Sequence, residues 1–215
     1  MAISNNMSSK FSKILNIHNL DEFDESSLHI ADNDLCGFDI SVDCIQEAFS
    51  HLKSGKVDGF GLVSTHFIKA LPVIEDFLSS LFTICLRHGH LPSCLSDCIL
   101  VPIAKPGKDP TNSDNYRPIA LASSLSKVLE WCFLIQLEDC FKTSDLQFGF
   151  KPGLSTTLCT GVAKSVISHY LQRGSSVFAC FLDASKAFDL VKHSLLFEKL
   201  VARGIPHLVV RFLSR

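Results

Sequence analysis

Val177-Phe178-Ala179-Cys180-Phe181-Leu182-Asp183-Ala184-Ser185-Lys186-Ala187-Phe188-Asp189 is the stretch on which the reading of this 215-residue chain turns. It opens as an apolar run rich in Val and Phe, the pattern of a strand buried on both faces. It then meets a carboxylate, followed by small residues and a helical pattern. An ionised Asp at the end of a buried strand carries a large desolvation cost unless it is paired. Asp183 must therefore reach water, a cation or a hydrogen-bond network. Two readings stay open on these residues: a strand-end Asp that caps the next turn, and a metal-binding carboxylate at the mouth of a nucleotide site.

The segments on either side read as helices. Upstream, Ser155 is a good N-cap and Gly174 a good stop, with Leu158, Val162, Val166 and Tyr170 as inner positions. Downstream, a helix is expected from about His193 to Arg203, stopped by Gly204, and Pro206 opens a last helical segment. Between 146 and 153, Leu146-Gln147-Phe148-Gly149-Phe150-Lys151-Pro152-Gly153 mixes aromatic and basic residues in a loop. Such a mixture can stack on and pair with a nucleic-acid strand.

The N-terminal half supplies a second cluster of signals. Residues 1–40 are polar and acidic and read as a lead-in or linker. From Ser41 a helix is expected, with Ile45, Ala48, Phe49 and Leu52 at i, i+3, i+4 and i+7 and Gly55 to end it. The basic turn at 53–61 contains Gly55-Lys56, but Ser50 and Val57 break the phosphate-loop spacing. Helical character resumes over 66–70, and Pro72 is expected to start a new helix that turns Phe77, Leu78, Leu81 and Cys85 inward and stops at Gly89. Cys85, His88, His90, Cys94 and Cys98 follow in a spacing that matches none of the usual zinc ligand pairs. Core cysteines and exposed histidines are the plainer reading. Two strands containing Pro, 98–103 and 116–121, flank a loop dense in turn residues. They make a hairpin whose tip presents Lys105, Lys108 and Arg117. Either it is an ordinary exposed hairpin, or its cations grip a triphosphate, Lys as a point charge and Arg by bidentate contact. A long helix is expected over 124–141, with Leu125, Val128, Leu129, Cys132, Ile135 and Leu137 on one broad face.

Composition bounds the function. Hydrophobic residues at 47% and charged residues at 20% fit a globular domain. No apolar run approaches the ~20 residues of a membrane span, and the first residues show no signal-peptide pattern, so a cytosolic or nuclear protein is expected. Nine irregularly spaced cysteines do not form a disulfide framework and are expected as reduced thiols. The net charge is −2, unevenly placed. Residues 1–99 hold 6 Lys and Arg against 13 Asp and Glu, whereas residues 100–215 hold 14 against 9. A basic second half suits a phosphate-bearing partner.

Three stretches in this order, ILVPIAKPGK (99–108), NYRPIALASSLSKVLE (115–130) and FLDASKAFD (181–189), resemble the reverse transcriptase domain of non-LTR, LINE-like retrotransposons of the jockey and chicken-repeat type. LQFGFKPGLSTT (146–157) and the basic turn at 53–61 agree with it. The resemblance covers roughly residues 40–215. It implies an α+β fold: the fingers and partial palm of a right-hand polymerase, helix-rich with a β-hairpin and a palm strand. Residues 1–40 are then a lead-in, and 41–215 the fingers with the N-terminal part of the palm.

By position, Asp183 matches the first catalytic, metal-binding Asp, and the backbone carbonyl of Ala184 completes that contact. Phe188 matches the aromatic residue under the sugar that rejects a ribose 2′-OH. Lys105, Lys108 and Arg117 match the finger region that holds the triphosphate, Arg117 most securely. Gln147, Phe148, Gly149 and Phe150 fall near the template strand, and Lys151 stands where Arg is more usual. The family places an Arg-Gln-Gly loop and an Ala-Asp-Asp hairpin further on, beyond position 215.

The implied activity is that of an RNA-directed DNA polymerase, joining dNTPs to a primer 3′-hydroxyl with two Mg²⁺. The implied partners are an RNA template, a DNA primer, dNTP and the remaining palm and thumb, without a membrane. Two dications about 3.5–4 Å apart need several carboxylates around them, and Asp183 is one, with Asp189 better read as structural. The chain by itself is therefore expected to be inactive. The alternative function is a non-catalytic remnant that binds nucleic acid or a partner. A zinc-binding module on 85–98 is a further reading.

Overall fold

Residues 37–184, 187 and 190–214, with Met7, are described by the computed structural model of the chain. It divides into two units: Met1–Cys140 with Asp189–Arg215, and Phe141–Phe188. Most of the lead-in expected over 1–40 lies outside the described residues, as do Phe188 and Asp189.

In the first unit, helix α1 spans Val42–Ser50. The Ser41 hydroxyl caps it by accepting from the backbone N–H of Cys44 at 3.2 Å. Its inner face is Cys44, Ile45, Ala48 and Phe49, and it stops at His51, before Gly55 is reached. Helix α2 spans Ser64–His88 and ends on Gly89 in the left-handed conformation. The break expected at Pro72 does not occur, because Pro72 lies inside this helix. Pro72 is exposed, so water can serve the Ile68 carbonyl that loses its helical partner there. Leu78, Phe82, Cys85 and Leu86 form its buried stripe, whereas Phe77, expected inward, is 65% exposed.

A short helix, α3 (Ser93–Ser96), leads into strands β1 (Cys98–Ala104) and β2 (Tyr116–Ala122). The two pair antiparallel, Cys98 opposite Ala122 and Ala104 opposite Tyr116, with Pro102 facing Pro118. Each strand of a two-stranded sheet is an edge, so both prolines are tolerated. Helix α4 (Ser124–Gln136) follows at once, capped by the Ser123 hydroxyl and buried through Val128, Leu129, Cys132 and Phe133. A 3₁₀ turn, Glu138–Phe141, takes over where the longer helix was expected. Helices α6 (His193–Ala202) and α7 (His207–Leu213) complete this unit. The label α5 is kept for the intervening helix of the second unit.

The core of the first unit forms where α1 packs on α2 and α4, and α7 on α2. Ile45, Phe82, Leu86, Val128, Cys132, Leu208, Val209 and Val210 are essentially inaccessible. Each such side chain contributes about 1.5–3 kcal/mol of burial. Phe133 stacks on Phe38 at a ring separation of 6.3 Å and meets Phe212 at 5.7 Å with the rings tilted by 50°. Residues just ahead of α1 are fastened to this core. Ile40 is buried, its N–H donates to the Thr83 hydroxyl and its carbonyl accepts from Ser79. Asp39 pairs with Arg87 at 2.6 Å.

In the second unit, helix α5 spans Thr156–Gln172. The Ser155 hydroxyl accepts from Leu158 N–H at 3.2 Å, and Gly174 takes a positive φ after its end. The expected stripe exists, but Leu158, Val162, Val166 and Tyr170 are each about half exposed. The strand expected over 177–183 is not formed: these residues are described without ladder pairing. Phe178, Phe181 and Leu182 are 96%, 88% and 94% exposed. A strand apolar on both faces exists only between two covering layers and beside a partner strand, and the described residues of this unit supply neither.

Candidate functional site

The hairpin of the first unit carries the cationic candidates, and local chemistry gives its tip a defined shape. Asp109 accepts from the backbone N–H and hydroxyl of Thr111, which holds its carboxyl below the ordinary range. The Asn115 amide donates to the Asp109 carbonyl, and the Tyr116 hydroxyl to that of Pro110. Lys105 is half-buried, its ammonium donating to the Asp114 carbonyl at 2.9 Å. Its charge is thus part of the tip's scaffold. Lys108 and Arg117 are exposed. Arg117 sits on β2 opposite Ile103, sharing its face with Ile119 and Leu121.

The basic turn also holds a buried carboxylate, Asp58, only 7% exposed. Its Oδ1 accepts from the N–H groups of Phe60 and Leu62 at 3.0 and 2.9 Å, and Oδ2 from that of Ser124 at 3.0 Å. Burial pushes this carboxyl up, but the hydrogen bonds from Ser124, Leu62 and Phe60 outweigh it and hold it below its ordinary value. Gly59 packs so closely on β2 that a Cβ there would lie 2.2 Å from the Leu121 carbonyl oxygen. The turn is closed by Ser64, whose N–H donates to the Lys56 carbonyl and whose hydroxyl donates to that of Lys53. An Asp-Gly pair in a glycine-rich turn was the available signal; its long-range partner was not.

In the second unit, the Gln147 amide donates to the Gly149 carbonyl at 2.9 Å. Phe148 is half-buried, and Phe150 is exposed with a backbone φ of 59°, uncommon for a residue with a side chain. Lys151 turns its ammonium back onto the carbonyls of Thr143 and Ser144 and lies 3.7 Å from Asp145. It shapes the loop that displays the two phenylalanines.

Asp183 and Ala184 are exposed, and among the described residues the Asp183 carboxylate has no hydrogen-bond or ion-pair partner. A hard oxygen donor of this kind suits Mg²⁺. The set is nevertheless short, since no group of three or more His, Cys, Asp or Glu is placed to hold a metal among the described residues. Cys85 is buried on α2, and burial, with Cys94 nearby, pushes its thiol up. No described helix is long and apolar enough to cross a membrane.

Residues 103–214, just over half the chain, match the family model described as reverse transcriptase (RNA-dependent DNA polymerase). The chain belongs to that family. Its kinship lies with the LINE-like, non-LTR branch. It is 30% identical over 174 residues to the RNA-directed DNA polymerase from mobile element jockey of Drosophila funebris, covering 79% of this chain and 19% of that protein. It is 34% identical over 168 residues to the probable RNA-directed DNA polymerase from transposon BS of Drosophila melanogaster, covering 74% and 18%. The probable polymerase from transposon X-element of the same fly is 28% identical over 155 residues, covering 69% and 17%. The chain spans less than a fifth of the length of these relatives.

Proposed function

We propose that this chain is the fingers and first palm segment of an RNA-directed DNA polymerase encoded by a mobile element. The observation that carries the reading is the family match, which runs from the hairpin through the Asp183 stretch. In this reading Asp183 and the Ala184 carbonyl would help to hold a pair of Mg²⁺ ions, with further carboxylates supplied by the remaining palm. When bound, such ions would supply positive charge that favours nucleotidyl transfer. Lys108 and Arg117 meet the triphosphate, with Lys105 bracing the tip between them. By the resemblance, Phe188, which lies outside the described residues, would be the aromatic residue under the sugar, and Gln147, Phe148, Gly149 and Phe150 would meet the template strand.

What these residues do is bind and orient. Arg117 offers a planar pair of donors to phosphate oxygens, and Phe148 and Phe150 offer ring faces on which bases stack, worth roughly 1–3 kcal/mol per base. Template RNA, a DNA primer and dNTP are the ligands that these residue types suit. With one described carboxylate at the site, the 215-residue chain is expected to bind nucleotide and strand without joining them. Primer extension with Mg²⁺ and a templated RNA tests this, and template-directed incorporation by the purified chain overturns it.

The uncovered faces of α5 and of residues 177–182 favour a second reading, in which the chain acts only as a binding fragment. A longer polypeptide that continues into the remaining palm separates the two. Incorporation that depends on Asp183 supports the polymerase, and strand binding without incorporation supports the fragment.

A further inference from the structure

We infer that Asp58 and Gly59 form a latch that sets the pose of the β1–β2 hairpin on the helical body, and through it the position of Arg117. This rests on the reading of Arg117 as a triphosphate ligand. The hairpin needs such a device, because its strands contact chiefly one another and no described helix packs broadly against the sheet. Ile99, Val101, Ile103, Ile119 and Leu121 remain partly exposed, so burial does little to fix its tilt.

The latch works at the hairpin's base. Oδ1 of Asp58 closes its own turn on Phe60 and Leu62, while Oδ2 reaches 66 residues along the chain to the Ser124 N–H at the start of α4. Gly59 rests against the Leu121 carbonyl, one residue before the end of β2. The last residues of the strand and the first turn of the helix are thus held by one loop. Arg117 lies four residues up β2 from Leu121, a lever of about 14 Å at ~3.4 Å per residue. A tilt of roughly 10° at the base carries Arg117 through about 2 Å, and misplacement of about 1 Å can cost on the order of 100-fold in rate.

Two substitutions separate the latch from the loop's own fold. Asp58→Asn keeps an acceptor for Phe60 and Leu62 but turns an amide donor toward the Ser124 N–H. Gly59→Ala leaves every hydrogen bond of Asp58 available and pushes on Leu121. The measurements are hydrogen exchange across residues 116–126 of the 215-residue chain and binding of Mg²⁺–dTTP, with Arg117→Ala as reference.

Both variants are expected to speed exchange of the Ser124 amide and the end of β2 by tenfold or more, leaving α2 protected as in the parent. Both are expected to weaken dTTP binding, by less than Arg117→Ala does, and to have no further effect in the Arg117→Ala background. Unchanged exchange across 116–126 overturns the latch. Loosened exchange with parental dTTP affinity overturns its positioning role. If the parent binds no dTTP and Arg117→Ala changes nothing, the triphosphate reading falls and the positioning role with it, while the exchange result still decides the latch.

Discussion

Replacing Asp58 by Ala should cost the first unit about 3 kcal/mol. The carboxylate accepts three backbone N–H bonds, and bonds to a charged acceptor are worth roughly 1.5–3 kcal/mol each. The three are not equal. Phe60 and Leu62 are exposed, so water replaces the lost acceptor there and each contributes about 0.5–1 kcal/mol. Ser124 is buried, and its N–H would be left unsatisfied at close to the full desolvation cost. The sum is a large share of the ~5–15 kcal/mol typical of a domain. Urea denaturation followed by circular dichroism reads it as a lower midpoint with an unchanged slope.

The same carboxyl sets a pH dependence of definite sign. Its folded-state pKa lies below the ordinary value, so its contribution is present above the unfolded pKa and is lost as pH falls through the depressed folded value. The parent should lose stability below about pH 4 more steeply than Asp58→Asn, which has no charge to neutralise there. A loss under about 1 kcal/mol for Asp58→Ala, or matching acid limbs for parent and Asp58→Asn, would refute the reasoning.

Phe82→Ala, at a fully buried position, should cost about 3–5 kcal/mol in chemical denaturation, while Phe77→Ala on the exposed side of the same helix should cost less than about 1 kcal/mol. Pro72→Ala should stabilise the chain by about 1–3 kcal/mol, since it restores a helical hydrogen bond in the middle of α2. Phe178→Ser with Phe181→Ser should reduce binding of an apolar dye and raise solubility, because both rings lie open to water in the second unit; unchanged dye binding would mean they contribute nothing to the sticky surface.

What was legible in the sequence is what local chemistry decides. Ser41 and Ser155 cap helices as hydroxyl N-caps do, Gly89 and Gly174 end them in the conformation that favours glycine, and Pro206 opens α7. The hairpin was legible because turn residues cluster between two strand-forming runs. Pro72 misled because a proline is equally at home in a first turn and, at a cost, on the exposed side of a long helix whose packing outweighs it. The run at 177–183 misled for the opposite reason: its composition reports the environment it needs, and strand pairing depends on residues far away in the chain. Asp58 stayed hidden because its decisive partner is 66 residues distant. The motifs that mark the family were readable, while the use of Lys105 and Lys151 in bracing their own loops appeared only with the folded geometry.

The most direct test compares Asp183 with Asp183→Asn in a polypeptide that carries these residues on into the remaining palm, scored by Mg²⁺-dependent extension of a primer on an RNA template. The account predicts that extension falls by a thousandfold or more on the order expected for loss of a metal-holding carboxylate, with template binding and thermal stability unchanged because the side chain is exposed. Extension by Asp183→Asn within a few-fold of the parent would contradict it.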